Sequence, residues 1–111
     1  MKIQIITLFP EMFDGVFDHS MMLKAKKQGV LEVEYVNLRD YGLGPRSQVD
    51  DEPYGGGDGM LLMVEPLTKA VEAAKQTSPD ALVVLTTARG ERLRQPKVQA
   101  LAAAQQDMII I

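Results

Sequence analysis

The chain has 111 residues, of which 46% are hydrophobic, so it is long enough to form one modest domain with an apolar core. It contains no cysteine and a single histidine, which excludes disulfides, thiolate metal sites and histidine clusters. The formal net charge of -3 is not that of a strongly basic nucleic-acid-binding domain, so any contact with nucleic acid has to depend on local patches.

The N-terminus, MKIQIITLFP, is an apolar stretch that ends at Pro10 without the small-residue cleavage site of a signal peptide. No apolar stretch of the chain, this one included, approaches the roughly 20 residues that cross a bilayer. We therefore expect a cytoplasmic protein with no membrane partner. The run from Ile3 to Phe9 predicts a first strand that is covered on both faces.

Helical and strand patterns then alternate. Pro10 begins a predicted helix whose apolar residues recur at helical spacing as far as Phe17. Ser20 is the predicted cap of a short second helix with a lysine-rich end. A second strand is predicted over residues 31–38, and no periodicity is visible over residues 39–63, which is typical of a functional or disordered loop.

The second half of the chain repeats the alternation. A helix is predicted from Pro66 to the break at residues 78–80, followed by a buried strand, Ala81 to Leu85. A further helix begins at Pro96, and residues 108–111 are a fourth strand. The residues expected to face inward are Leu67, Ala70, Val71 and Ala74 in the first of these helices and Val98, Leu101 and Ala102 in the second. This order predicts an α/β fold with a mainly parallel sheet and flanking helices.

The least regular stretch, DDEPYGGGDGM over residues 50–60, holds four glycines and four acids. Glycines allow positive φ and a close approach of main chain to a ligand, although composition alone fits a disordered tether equally well. Apolar residues on both sides favour a functional loop, and Tyr54 offers a stacking face for a base. The Walker and dinucleotide patterns are absent, and the acids would repel phosphate.

Two further features are less specific. Thr86 to Gly90 follows the third strand, where α/β folds present main-chain groups to cofactors, but an ordinary strand-to-helix connection would look the same. Two basic patches would suit either a phosphate backbone or solvent. The patches are Lys24, Lys26 and Lys27, and then Arg89, Arg92, Arg94 and Lys97 with Glu91 as the one opposing charge. No general base, nucleophile or metal site stands out.

Three motifs together carry a family resemblance: LFPEMF at Leu8 to Phe13, VDDEPYGGGDGMLLMVEPL at Val49 to Leu67, and RGERL at Arg89 to Leu93. In this order and spacing they closely resemble the N-terminal part of the bacterial tRNA (guanine-N1)-methyltransferases, which methylate the guanine at position 37 of tRNA, next to the anticodon. The PYGGG-x-GM run is highly specific to that family, whereas the surrounding strands and helices would fit many α/β proteins.

The resemblance implies a SPOUT-class methyltransferase with a trefoil knot. It also implies S-adenosylmethionine as methyl donor, the tRNA anticodon stem-loop as substrate, and a homodimer whose active sites lie between subunits. Residues 1–111 would form the N-terminal portion of the methyltransferase domain, with a long functional loop at about 39–64. The family's aspartate base, the knotted loops and the C-terminal tRNA-binding domain are expected beyond Ile111, so we expect no catalytic residue here and no activity from this piece alone.

Site residues are carried over from the family by position. The implied cofactor-binding residues are Leu85, Thr86, Ala88 and Gly90. The implied substrate-binding residues are Lys24, Asp50, Tyr54, Gly55, Gly56, Gly57, Gly59 and Met60. No metal ligand is implied. Asp58 and Ala88 replace frequent prolines of the family, which loosens both segments, and Lys24 replaces a usual arginine.

An alternative from another class stays open on the residues alone. The chain could be a free-standing, non-catalytic α/β module that binds a nucleotide, RNA or protein through the glycine-rich loop and the basic patches. It is supported by the absence of a catalytic constellation, and it predicts ligand binding that needs no further sequence.

Overall fold

The computed structural model describes all residues from 1 to 111 and shows a four-stranded sheet, a two-stranded ribbon and three α-helices. In chain order the elements are β1 (Lys2–Thr7), a 3-10 turn (Pro10–Phe13), α1 (Ser20–Lys27), β2 (Glu32–Asn37), a second 3-10 turn (Leu38–Tyr41), β3 (Asp50–Asp51), β4 (Leu61–Leu62), α2 (Val64–Thr77), β5 (Leu82–Val84), α3 (Gln95–Ala104) and β6 (Met108–Ile110). None of the three helices combines the length and the apolar character needed to cross a membrane.

The main sheet is entirely parallel, with strand order β2-β1-β6-β5, so the predicted α/β architecture is confirmed. β1 lies in the centre, and Ile5 and Ile6 on its two opposite faces are both buried, as the continuous apolar run predicts. The strand ends at Thr7, and Phe9 is 46% exposed. The predicted first strand is therefore correct in place and slightly too long.

One face of the sheet packs against α2 and forms the core. Ala70 and Ala74, one helical turn apart, are fully buried there, because their small side chains let the helix lie close to the strands. The predicted inward stripe of α2 is confirmed. The buried core residues are Ile6, Leu38, Val49, Ala70, Ala74, Ala81 and Ile109. The buried polar side chain of Gln4 in β1 is satisfied by donating from Nε2 to the Ala74 carbonyl at 2.9 Å.

The opposite face is thinly covered, which contradicts two expectations. α1 and α3 contain no buried residue, and in α3 the supposedly inward Val98 and Ala102 are exposed. β5 is not a buried strand, since Leu82 and Val83 are both more than a third exposed. The reason is its place at the edge of the sheet, where it pairs with β6 on one side and has no partner on the other.

Three local expectations also require correction. The helical spacing after Pro10 yields only a single 3-10 turn, which ends before Gly15 adopts a φ of 82°. Ser20 is not the cap of α1 but its first residue. The N-cap residue of the helix is His19, which makes no side-chain capping bond. The stretch 39–63 is not structureless, since it contains a 3-10 turn and the β3–β4 ribbon.

A carboxylate joins three elements at the N-terminal edge of the sheet. Asp107, just before β6, accepts the main-chain N–H of Lys2 at 2.7 Å and the hydroxyl of Ser78 at 2.9 Å. Ser78 is buried at the end of α2, so the carboxylate links the starts of β1 and β6 to that helix. Hydrogen bonds from Lys2 and then Ser78 lower the pKa of Asp107 below its ordinary value, because they stabilise the charged form.

We predict that Asp107→Ala lowers the free energy of unfolding by about 1–3 kcal/mol at pH 7, because it leaves two donors without their charged acceptor. The pKa of Asp107 is lower in the folded state, so its contribution is present above about pH 4 and is lost as the pH falls through that lowered pKa. Urea denaturation at pH 7 and at low pH measures this. Asp80→Ala, which removes an exposed carboxylate without a hydrogen bond, is the control. A deficit for Asp107→Ala that is equal at both pH values would contradict the assignment.

Candidate functional site

The glycine-rich stretch is the tip of a hairpin, which we call the glycine arm (residues 50–62). β3 and β4 pair antiparallel, with Asp50 opposite Leu62 and Asp51 opposite Leu61. Residues 52–60 connect them. The acidic strand is therefore paired with an apolar one. The sequence shows no periodicity here because each strand has only two residues.

Both ends of the arm are fixed to the core. Val49, immediately before it, is 1% exposed, and its carbonyl accepts the Met63 N–H at 2.8 Å. The Gln48 side-chain amide donates to the Asp50 carbonyl at 3.0 Å. Because both ends of the arm are held in this way, it projects from a defined point on the core. A flexible tether would lack such fixed ends.

A tight turn leads into the base of the arm. Leu43 and Gln48 form an isolated bridge, with main-chain bonds of 2.8 and 2.9 Å. This brings the main chain of Ser47 so close to Gly42 that a Cβ there would lie 2.4 Å from the Ser47 carbonyl carbon and oxygen. Only glycine fits at that position, and the turn delivers Val49 into the core.

Glycines at the tip are required for a different reason. Gly55, Gly56, Gly57 and Gly59 have φ values of 87°, 80°, 114° and 93°, in the region that L side chains rarely adopt. Apart from the adjacent residues of the chain, no atom lies within 4 Å of the place where a Cβ would sit on any of them. The main chain at the tip is therefore open, with room for a ligand to approach.

The arm also carries exposed apolar and aromatic surface. The ring of Tyr54 is fully exposed, and Met60, Leu61 and Leu62 are each at least 44% exposed. A cleft of about 450 Å³ beside the arm is lined by Tyr54, Leu61 and Leu62 together with the carboxylates of residues 51, 52 and 65. A free aromatic face beside acidic acceptors suits a base better than a phosphate.

A second and larger cleft, of about 870 Å³, opens where β5 ends, and we call it the strand-end cleft. All four sequence-predicted cofactor residues line it: Leu85, Thr86, Ala88 and Gly90. Thr86 ties the cleft to β6, because its main-chain N–H and its hydroxyl donate to the Ile111 carbonyl at 2.8 and 2.7 Å. This arrangement follows from parallel pairing, which brings the carboxyl ends of β5 and β6 together.

Main-chain groups in the strand-end cleft are free to bind a ligand. Neither the N–H nor the carbonyl of Leu85 or of Ala88 bonds within the chain. A turn follows, in which the Gly90 N–H donates to the Thr87 carbonyl at 3.2 Å, and a Cβ at Gly90 would lie 3.1 Å from the Thr87 methyl group. Alanine at position 88 keeps a free N–H that proline would lack.

These groups fit the adenosine half of S-adenosylmethionine. Leu85, Leu93 and Leu101 give the strand-end cleft apolar walls for a purine ring. The unpaired main-chain donors and acceptors at Leu85 and Ala88 are the kind of group that reads the polar edge of an adenine. The sequence reasoning missed Leu93 and Leu101, although a leucine inside the charged segment RGERL is a signal that could have identified the first.

The structure does not bring all predicted residues together. The two clefts share no lining residue, and of the eight predicted substrate-binding residues only Tyr54 lines the arm cleft. Asp50 is half-buried in β3, and Lys24 is exposed on α1 outside both clefts. No three acidic or histidine side chains are grouped so that they could hold a metal ion.

Comparison with solved structures defines the class of protein. A crystal structure titled tRNA (m1G37) methyltransferase from Aquifex aeolicus matches with a TM-score of 0.86 and 33% identity. The match covers 99% of this chain and 50% of that one. The chain therefore has the α/β fold of a SPOUT methyltransferase.

The particular family follows from the sequence. The family model described as tRNA (Guanine-1)-methyltransferase TrmD matches residues 1–111, and the chain belongs to that family. Proteins named tRNA (guanine-N(1)-)-methyltransferase from Geobacter sulfurreducens and Staphylococcus aureus are 44% identical over 110 residues and 46% identical over 104. These matches cover 99% and 94% of this chain but 45% and 42% of the relatives, so the chain spans less than half of their length. The family resemblance expected from the motifs is confirmed.

We predict that Tyr54→Ala changes the free energy of unfolding by no more than about 0.5 kcal/mol, because the ring is fully exposed and packs against nothing. Leu38→Ala is the contrasting variant, and it should cost about 2–5 kcal/mol because that side chain is fully buried in the core. Chemical denaturation of both variants decides the matter. A loss at Tyr54 comparable to that at Leu38 would show that the ring has a structural role.

Proposed function

We propose that the complete protein containing this chain transfers a methyl group from S-adenosylmethionine to N1 of the guanine at position 37 of tRNA. The observation that carries the proposal is the family match over all 111 residues, supported by relatives of that name at 41–48% identity. We further propose that it acts in the cytoplasm on the anticodon stem-loop, as a homodimer with sites between subunits.

The strand-end cleft is the proposed cofactor site, with Leu85, Thr86, Ala88 and Gly90 as its residues. The cofactor would supply an electrophilic methyl group. What this chain contributes is position: main-chain groups at Leu85 and Ala88 would hold the adenine, while the bond from Thr86 to Ile111 keeps the strand end in place. Apolar walls would exclude water from the purine.

The glycine arm is the proposed substrate side. Tyr54 would stack on a base, and Gly55, Gly56, Gly57 and Gly59 would let the main chain approach a flipped guanine without a side-chain clash. Asp50 and Met60 belong to the same arm. Lys24 is exposed and forms no ion pair, so its charge is available to a tRNA phosphate.

We place the general base for the N1 proton outside residues 1–111. Glu91 is the one carboxylate that lines the strand-end cleft, and it is held in an ion pair with Lys97. The ammonium group of Lys97 therefore competes with any bound base for this carboxylate. A polypeptide restricted to residues 1–111 should accordingly transfer no methyl group, and measurable transfer would overturn this placement.

The direct test uses the purified complete gene product and two tRNA transcripts that differ only in having guanine or adenine at position 37. With labelled S-adenosylmethionine we expect label at N1 of the guanine and none in the adenine transcript. Binding of both transcripts without any methyl transfer would contradict the proposal and favour the non-catalytic binding module.

Tyr54→Ala should lower kcat/KM for tRNA by about 5- to 160-fold, because one base-stacking contact is worth about 1–3 kcal/mol. Tyr54→Phe is the matched control. It keeps the stacking face and should stay close to the unchanged protein. Loss in both variants would assign the effect to the hydroxyl, and loss in neither would remove Tyr54 from the site.

A further inference from the structure

The segment that joins the strand-end cleft to α3 carries an unusual concentration of positive charge, and we call it the basic turn (residues 89–94). It contains Arg89, Arg92 and Arg94 and a single acid, Glu91. It belongs to no helix or strand, and all six of its residues are exposed. The chain as a whole has a net charge of -3, so this segment is positively charged in a protein that is negatively charged overall.

The charges of the basic turn are not neutralised within the chain. Arg89, Arg92 and Arg94 form no ion pair and no side-chain hydrogen bond. The acid that could have offset them, Glu91, is taken by Lys97 in the first turn of α3. Three guanidinium groups within six residues are thus left facing solvent.

The position of the basic turn relates it to the candidate site. Arg92 lines the strand-end cleft together with Thr86 and Ala88. The turn that begins at Thr87 orients the start of the segment, through bonds from the Gly90 and Arg89 N–H groups to the Thr87 carbonyl and hydroxyl at 3.2 and 3.3 Å. Arg92 therefore lies at the cleft, and Arg89 and Arg94 are within three residues of it in the same exposed segment.

The chemistry of the group favours one class of ligand. Arginine presents a planar fork of donors that matches phosphate oxygens, and it is less strongly hydrated than lysine. Six residues can span up to about 20 Å, enough to contact several phosphates along one strand. We propose that Arg89, Arg92 and Arg94 bind the sugar–phosphate backbone of the RNA substrate beside the strand-end cleft, without reading its sequence. This inference rests on the proposed function and adds a contact surface to it.

The test measures RNA affinity of the complete gene product as a function of salt. Each backbone contact should contribute about 0.7–0.9 to the slope of log K against log salt. Single Arg89→Ala, Arg92→Ala and Arg94→Ala variants should each lower that slope by about this amount and weaken tRNA binding about 5- to 8-fold at 0.1 M salt. Combining the three should lower the magnitude of the slope by about 2–3.

Two controls separate charge at this place from charge in general. Arg92→Lys keeps the positive charge and should retain the slope, although it loses the fork geometry. Lys75→Ala removes an exposed, unpaired cation from α2 and should change neither slope nor affinity. Melting temperatures of all variants should match the unchanged protein, because the arginine side chains are exposed and unbonded; if the triple variant fails to fold, the single variants decide.

Three outcomes would overturn the inference. These are an unchanged salt slope in the arginine variants, an equal effect from Lys75→Ala, or a loss of S-adenosylmethionine affinity with tRNA affinity intact, which would make the segment part of the cofactor site. If the unchanged protein methylates guanine 37 while the arginine variants bind tRNA normally, this inference alone fails. If the unchanged protein does not bind tRNA at all, the proposed function fails with it.

Discussion

The packing of α2 against the central strands is the contact on which the rest of the structure depends. Ala70 and Ala74 are buried in the same core cluster as Ile6 of β1 and Ile109 of β6, and the helix can lie this close to the sheet because their side chains are small. α2 begins directly after the glycine arm, so this packing fixes the base of the arm. Ile111 directly follows β6, and its carbonyl holds Thr86 at the strand-end cleft. Both halves of the candidate site are therefore attached to one core.

Coverage of the sheet is markedly unequal. The α2 face is closed and has Gln4 satisfied within it. Right-handed crossovers put α1 and α3 on the opposite face, and neither helix has a buried residue. β5 is open at the edge of the sheet and exposes Leu82 and Val83. The strand-end cleft lies on this open side, next to an unpaired strand edge. A ligand site there has apolar walls and free main-chain groups because the sheet is not covered at that point.

The elements predicted correctly from the sequence are those with a long pattern of apolar residues within one continuous segment. β1 has a continuous β-branched run, and α2 repeats its small apolar residues over fourteen positions, so both are recognisable. The burial of β5 was mispredicted because an apolar strand at the edge of a sheet has the same composition as one in the centre, and strand order is not encoded locally. The two-residue strands of the arm are too short to show a period. The hydrogen bond from Lys2 to Asp107 joins residues about a hundred positions apart, so no local pattern indicates it. Within the site, the family resemblance named Leu85, Thr86, Ala88 and Gly90, which do line one cleft, whereas their cofactor role stays a prediction. Two further apolar lining residues, Leu93 and Leu101, come from the following helix and its approach.

The central claim is that the strand-end cleft and the glycine arm serve one ligand-binding site in the complete protein, although here they line separate clefts. Hydrogen–deuterium exchange of the complete gene product, measured free, with S-adenosylmethionine and with S-adenosylmethionine plus tRNA, tests it most directly. The open amides at Leu85 and Ala88 should become protected with the cofactor, and those of residues 54–60 should become protected when tRNA is added. Protection of neither segment, or of residues elsewhere in the chain alone, would contradict the account.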